Sequence, residues 1–283
     1  MKRIIPLIAV ALVSATLSAG AVTAQEIQQS ISAIKSVGPE GKGNARAAKA
    51  WQKLSQGGGD TLIPLLSAMN GASPLAANWL RGLVHAVADR GVQSGHGLPT
   101  AAIEKWLRDT SNDPRARRLA YDLLKQVQPK RAAWLIKAMV NDPSVELRRD
   151  AVQLVLDAAK TEKSSGDQRA ASKLYDKALN NARDVEQIRT AVLALREYGQ
   201  TVDVPKQFGF LMNWNVIGPF DNSEREGFDR VFPPEKKIDL GATYKGKEAE
   251  VGWKPFVSED EYGKVDMNLP YGMLKEVVAY AYT

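Results

Sequence analysis

The chain has 283 residues, of which 25% are charged and 44% hydrophobic, with two His and no Cys. That length accommodates two domains of ordinary size, each with its own core. The absence of cysteine excludes disulfides, thiolate metal sites and a cysteine nucleophile, and the formal net charge of +6 is too unevenly spread to read as a nucleic-acid footprint.

Two of the basic charges, Lys2 and Arg3, open the chain, an apolar stretch Ile4 to Val13 follows, and small residues end in Ala21-Val22-Thr23-Ala24. This order predicts a secretory signal peptide over 1–24. Its apolar part is shorter than the roughly 20 residues that a membrane span needs. No other segment approaches that length, so no span is expected after cleavage. An exported protein is expected, periplasmic or extracellular. Residues 25–204 carry 26 basic against 19 acidic side chains, and 205–283 carry 10 against 13. The basic excess therefore points to a solvated helical face or an anionic extracytoplasmic partner rather than to nucleic acid.

From 25 to 200 the apolar residues have helical spacing. Pro74 to Asp89 carries Trp79, Leu80, Leu83, Val84 and Val87 on one side. Ala116, Leu119, Ala120, Leu123, Leu124 and Val127 form the next stripe, and Leu147, Ala151, Val152, Leu154, Val155 and Ala158 another. A further stripe comprises Ala171, Leu174, Tyr175 and Ala178. Ser73-Pro74, Asp113-Pro114 and Asp142-Pro143 each place a capping oxygen before a proline, a pattern that starts helices. Gly57-Gly58-Gly59 reads as a linker between helices.

A weak repeat runs through this half. Asn112-Asp113-Pro114 precedes Arg117-Arg118-Leu119-Ala120, Asn141-Asp142-Pro143 precedes Arg148-Arg149-Asp150-Ala151, and Arg189-Thr190-Ala191 gives a third Arg-x-Ala element. Helix pairs recurring at periods in the thirties and forties indicate a solenoid, in which each unit hides its apolar face only against its neighbours. The Asn-Asp-Pro start, the Arg-x-Ala element and the Leu/Val stripe resemble the HEAT repeat. Ala170 to Asn180 also has a tetratricopeptide look.

All six Phe lie at or after Phe208, and 13 of the 20 Phe, Trp and Tyr residues fall beyond position 204. The composition changes over 201–207, which reads as a linker. Leu211 to Ile217 is expected as a buried strand ended by Gly218-Pro219, followed by loop to Lys237, then strands at Ala249 to Trp253 and Val277 to Tyr282. The aromatic and Gly-Pro pattern of 208–283 resembles the leading strands of a galactose-binding-like or jelly-roll module of secreted bacterial HEAT-repeat proteins. That resemblance implies further strands, so the chain is expected to stop inside a domain. The fold class expected is mainly α: a HEAT-like solenoid over 25–200 and a partial β-sandwich over 208–283.

Catalytic equipment is sparse. His85 is expected on a helix face and His96 in a solvated loop; no nucleophile elbow, phosphate loop or paired-histidine metal motif is present, and no metal or cofactor is expected. Acidic residues gather at Asp221, Glu224, Glu226, Asp229 and Glu235 and at Glu259-Asp260-Glu261, positions that could serve calcium or glycoside hydrolysis but fit solvated loops better. Trp214, Phe220, Phe228, Phe232 and Trp253 could pack against sugar rings or form a core, with Phe220 and Phe232 the candidates for contact. Arg117, Arg118, Arg148 and Arg149 are candidates for binding an acidic partner, against the alternative that repeat arginines bond to neighbouring carbonyls or to a capping Asp. The function expected is exported, non-catalytic binding or scaffolding toward a protein or anionic partner. The alternatives are a polysaccharide-binding accessory region and a hydrolase using the acidic loops.

Overall fold

A computed structural model describes residues 22–225, 227 and 229–283. Most of the expected leader, together with Glu226 and Phe228, lies outside the described residues. The fold is mainly helical, with a small antiparallel sheet toward the C-terminus. The chain packs into two compact units, the first ending at Leu154 and the second running from Val155 to Thr283.

In the first unit, α1 (Ala24–Lys35) begins with a reciprocal cap: Thr23 Oγ1 accepts from Glu26 N, and Glu26 accepts from Thr23 N at 2.9 Å. It pairs with α2 (Asn44–Leu54); α3 (Leu62–Ala68) then pairs with α4 (Pro74–Gln93), and α5 (Thr100–Arg108) with α6 (Pro114–Val127). A tight link leads into α7 (Pro129–Ile136), and α8 (Val145–Ser165) follows, its first half in this unit and its second half in the next. Odd-numbered helices neighbour one another, α1 with α3 and α3 with α5, as do α2 with α4 and α4 with α6. Leu54, Leu62, Leu65, Leu80, Leu83, Ile103, Leu107 and Leu124 are among the side chains buried in one continuous core between these rows.

The prolines mark two helix starts as the sequence predicts. Ser73 caps α4 and Asp113 caps α6, each with its side chain accepting backbone amides and proline in the first position. The third start differs. Although Asp142-Pro143 has the same pattern, α8 begins at Val145, because the Asp142 carboxylate is taken by Arg117 and by Ser144 N. Arg148 N instead makes an early helical bond to Ser144 O at 2.9 Å. The stripe of α8 also drifts: Leu147, Ala151 and Val152 are buried, but Leu156 and Ala159 continue the face in place of Val155 and Ala158. Leu154 is exposed. With Leu154, Val155 and Leu156 consecutive, composition could not say which faces inward.

The second unit contains the helical hairpin α9 (Gln168–Asn181) and α10 (Val185–Glu197), then α11 (Val204–Phe208), which occupies much of the stretch read as linker. Strand β1 (Asn213–Asp221) is central. After the short helix α12 (Pro233–Lys236), β2 (Thr243–Lys245) pairs with β3 (Glu250–Gly252). Strand β4 (Lys254–Val257), the single turn α13 (Asn268–Tyr271) and β5 (Val277–Tyr282) complete the order, and β4 and β5 flank β1 antiparallel.

Gly218-Pro219 does not end β1. The strand passes through a cis Gly218–Pro219 bond, and its pairing with β5 shifts between Ile217 and Phe220 before resuming at Phe220↔Val278. Glycine is required there because a Cβ on Gly218 would lie 2.7 Å from that of Ala279. The stretch expected as one strand at 249–253 holds β3, and the unforeseen β4 starts directly after Trp253 in a different sheet.

Candidate binding surface on the helical unit

The site is built on α6. Asp113 Oδ1 accepts from Arg115 N and Ala116 N at 2.9 and 3.0 Å, which fixes where the helix starts and hence which way each arginine points. Arg115, Arg118 and Asp122 follow one another at i, i+3 and i+7, so they share a face. Arg117, one step of about 100° away from Arg118, turns inward.

Arg117 is 1% exposed. Its two terminal nitrogens donate to the two oxygens of Asp142 at 2.6 and 2.7 Å, and its Nε donates to Leu107 O at 2.7 Å. This fork-to-fork geometry is the strong form of an ion pair, and burial makes either partner alone costly. Asp142 is also engaged by Ser144 N, and its carbonyl accepts from Arg148 Nε at 2.7 Å. Two of the four arginines named from sequence therefore take the structural role, tying the loop before α8 to α6 and to the end of α5. Asn70, in the loop before α4, makes a comparable tie: its Oδ1 accepts from Asp113 N at 2.7 Å and its Nδ2 donates to Asn112 at 3.1 Å.

The other two arginines face an open cavity of about 400 Å³ that crosses α4, α6 and α8. From α4 it is lined by Arg81 and His85, and from α6 by Arg115, Arg118 and Asp122. The first turns of α8 supply Glu146, Arg149 and Asp150. Arg118 donates from Nε to Asp122 at 3.1 Å and from its terminal nitrogen to Asp150 at 2.7 Å, which ties α6 to α8 across the cavity floor. Burial draws the Arg118 guanidinium down, and the hydrogen bonds and charges of Asp122 and Asp150 more than offset it, so it is held firmly protonated. Burial likewise lifts the Tyr121 hydroxyl beside it, with Asp150 adding to the effect.

Arg81, Arg115 and Arg149 remain exposed around this knot. Arg115 lies 3.6 Å from Asp113, while Arg81 has no ion pair among the described residues. Four guanidiniums against three carboxylates leave the lining net positive. The arrangement suits reversible binding of a ligand's carboxylates or other anions, for which guanidinium offers a planar pair of donors. Among the described residues no three His, Asp or Glu side chains converge to hold a metal ion.

His85 is exposed on α4 and His96 lies exposed in a loop, its Nδ1 2.9 Å from Ser94 Oγ. Two of the aromatic candidates of the C-terminal unit, Phe220 and Phe232, are interior. Phe220 and Phe232 are each 2% exposed, their centroids 5.6 Å apart, and Tyr280 packs 5.9 and 6.3 Å from them. Contact of Phe220 and Phe232 with a sugar is thereby corrected to a core role, since their ring faces are already covered. Trp214 and Trp253 are half-buried, Trp253 edge-on to Tyr282. Three of the acidic side chains have partners: Asp221 accepts from Ser223, Glu235 from the Tyr280 hydroxyl, and Glu261 from Arg196. Sequence reasoning missed Arg81, Arg115 and Asp122, although the 115, 118, 122 spacing on α6 was a usable signal.

Comparison with family models, curated proteins and solved structures finds no match. Within the described residues, no helix is long and apolar enough to cross a membrane.

Proposed function

We propose that this is an exported, non-catalytic binding protein whose α4–α6–α8 groove holds an acidic segment of a protein partner. The observation that carries the reading is the division of the arginines. Arg117 and Arg148 are committed to loops, while Arg81, Arg115 and Arg149 present guanidiniums from three successive even-numbered helices to one cavity. Helices that repeat at constant offset make such a ladder of like side chains available to an extended ligand.

A HEAT-like repeat is the architecture we assign to residues 25–200. It is supported by the two rows of alternating helices and by the polar ties between successive pairs, Asn70 to Asp113 from loop to loop and Arg117 of α6 to Asp142 in the loop before α8. Export rests on the order of residues 1–24, basic, apolar, then small.

The test is capture on immobilised polyglutamate. The full chain should bind, and binding should weaken steeply with added salt, as expected of exposed charges. Arg115→Glu combined with Arg149→Glu should weaken capture by tenfold or more, about 1.4 kcal/mol, while the chain keeps the circular dichroism of the folded helical protein. A wild-type chain that is not captured, or capture indifferent to the charge reversal, would overturn the reading.

A further inference from the structure

A second cavity, of about 500 Å³, lies elsewhere on the helical unit beside Trp134 of α7. Trp134 is 55% exposed, a large apolar surface to leave in water, although one exposed ring alone signifies little. Its surroundings are more informative. Arg131 and Arg108 stand over the indole with their guanidinium carbons 4.3 and 5.5 Å from its centroid. Both are gripped by one carboxylate: Glu104 accepts from Arg131 at 2.6 and 2.8 Å and from Arg108 at 2.9 and 3.1 Å. The shared carboxylate thus holds both guanidiniums against the indole, and more than half of the residue's surface still stays open to solvent.

The cavity that Trp134 lines is completed by Arg108, the Thr110 hydroxyl and Lys137, with the buried Arg117–Asp142 pair, which is self-neutralising, also lining it. Lys137 has no ion pair among the described residues, and Arg108 and Arg131 share only one carboxylate. The site thus holds a pre-set aromatic surface, an uncommitted ammonium, a surplus guanidinium charge and a hydroxyl around a volume of ligand size.

We propose that this cavity binds an acidic glycan, a uronate unit lying against Trp134 with its carboxylate toward Lys137 and Arg108. The apolar C–H face of a pyranose matches the flat indole, which itself attracts positively polarised edges. The charge surplus selects a sugar bearing a carboxylate over a neutral one. An acidic peptide would satisfy the cations but has no use for the ring.

The test is titration calorimetry of the full chain with oligogalacturonate, oligomannuronate and methyl-esterified oligogalacturonate, with polyglutamate as the peptide control. At least one free uronate oligomer should bind, and the ester at least tenfold more weakly than the acid. Trp134→Ala should weaken uronate binding tenfold or more, Trp134→Phe should retain most of it, and Lys137→Gln should narrow the difference between acid and ester. Arg115→Glu with Arg149→Glu should leave uronate binding unchanged, which separates this site from the groove on α4, α6 and α8. No heat with either free uronate, equal affinity for acid and ester, or a folded Trp134→Ala chain that binds as well as wild type would each overturn the proposal. So would polyglutamate binding that is lost with Trp134.

Discussion

The helical rows and the C-terminal sheet solve the problem of burial in opposite ways. Among the helices, a charged pair, Arg117 with Asp142, sits in the interior and joins α6 to the loop before α8. In the sheet, the centre is Ile217, Phe220 and Phe232, with Tyr244 and Tyr280 closing over them. The C-terminal turn of a helix leaves carbonyls without partners, so the inward Arg117, near the start of α6, finds an acceptor waiting at Leu107 in the last turn of α5. A central strand has its backbone groups satisfied by its neighbours and has only side-chain volume to fill. The lesson is that the same residue type, arginine, is drawn into the structure where it turns inward, as Arg117 does, and reaches solvent where it lies on an outer helix face, as Arg81 and Arg115 do.

The contrast can be broken from either side. Asp142→Ala strands the Arg117 guanidinium in the interior and also uncaps Ser144 N, so it should destabilise the helical unit by about 3–5 kcal/mol in chemical denaturation. The paired change Arg117→Met with Asp142→Leu should recover more than half of that loss, because the penalty belongs to the uncompensated charge. Equal losses from the single and the paired change would mean that the pair is not what holds the loops. In the sheet, Phe220→Ala should cost about 3 kcal/mol by leaving a cavity among rings. Hydrogen exchange should place that loss in β1 and β5, and protection unchanged in both strands would contradict an aromatic core.

The smallest effect concerns acid. Hydrogen bonding from Arg131 holds the Glu104 carboxyl below its usual 4.5, opposed by burial and aided by Arg108. A carboxyl depressed in the folded state lends stability at pH above its unfolded value and loses it as pH falls through the folded one. The Arg108–Glu104–Arg131 clamp should therefore persist at pH 4.5 and open only in stronger acid. Carboxyl carbon-13 NMR of Glu104 checks this, and a midpoint at or above 4.5 would contradict it.

Much of the helical unit was legible from spacing and caps. Ser73-Pro74 and Asp113-Pro114 marked helix starts because a side-chain oxygen and a proline suit the first turn regardless of context. Asp142-Pro143 misled because its carboxylate answers to Arg117, 25 residues earlier in the chain, and no local pattern records such a tie. The arginine pairs were legible as a motif but not in their individual fates, which depend on where α6 and α8 begin. In the sheet, β5 stood out as an apolar run, whereas β1 was read as ending at Gly218-Pro219. A glycine and proline that normally stop a strand are accommodated there because Ala279 of β5 leaves no room for a Cβ. Trp134 went unremarked because its importance lies in Glu104 and Arg108 of α5, which only packing brings to it and to Arg131.

Amide shift mapping of the isotope-labelled chain titrated with polyglutamate tests the division of arginines most directly. The account predicts changes that grow with ligand and gather around Arg81, Arg115, Arg118 and Arg149, with the loop at Asn141 to Ser144 unmoved. Changes gathered in the sheet of residues 213–282, or none at saturating peptide, would contradict it.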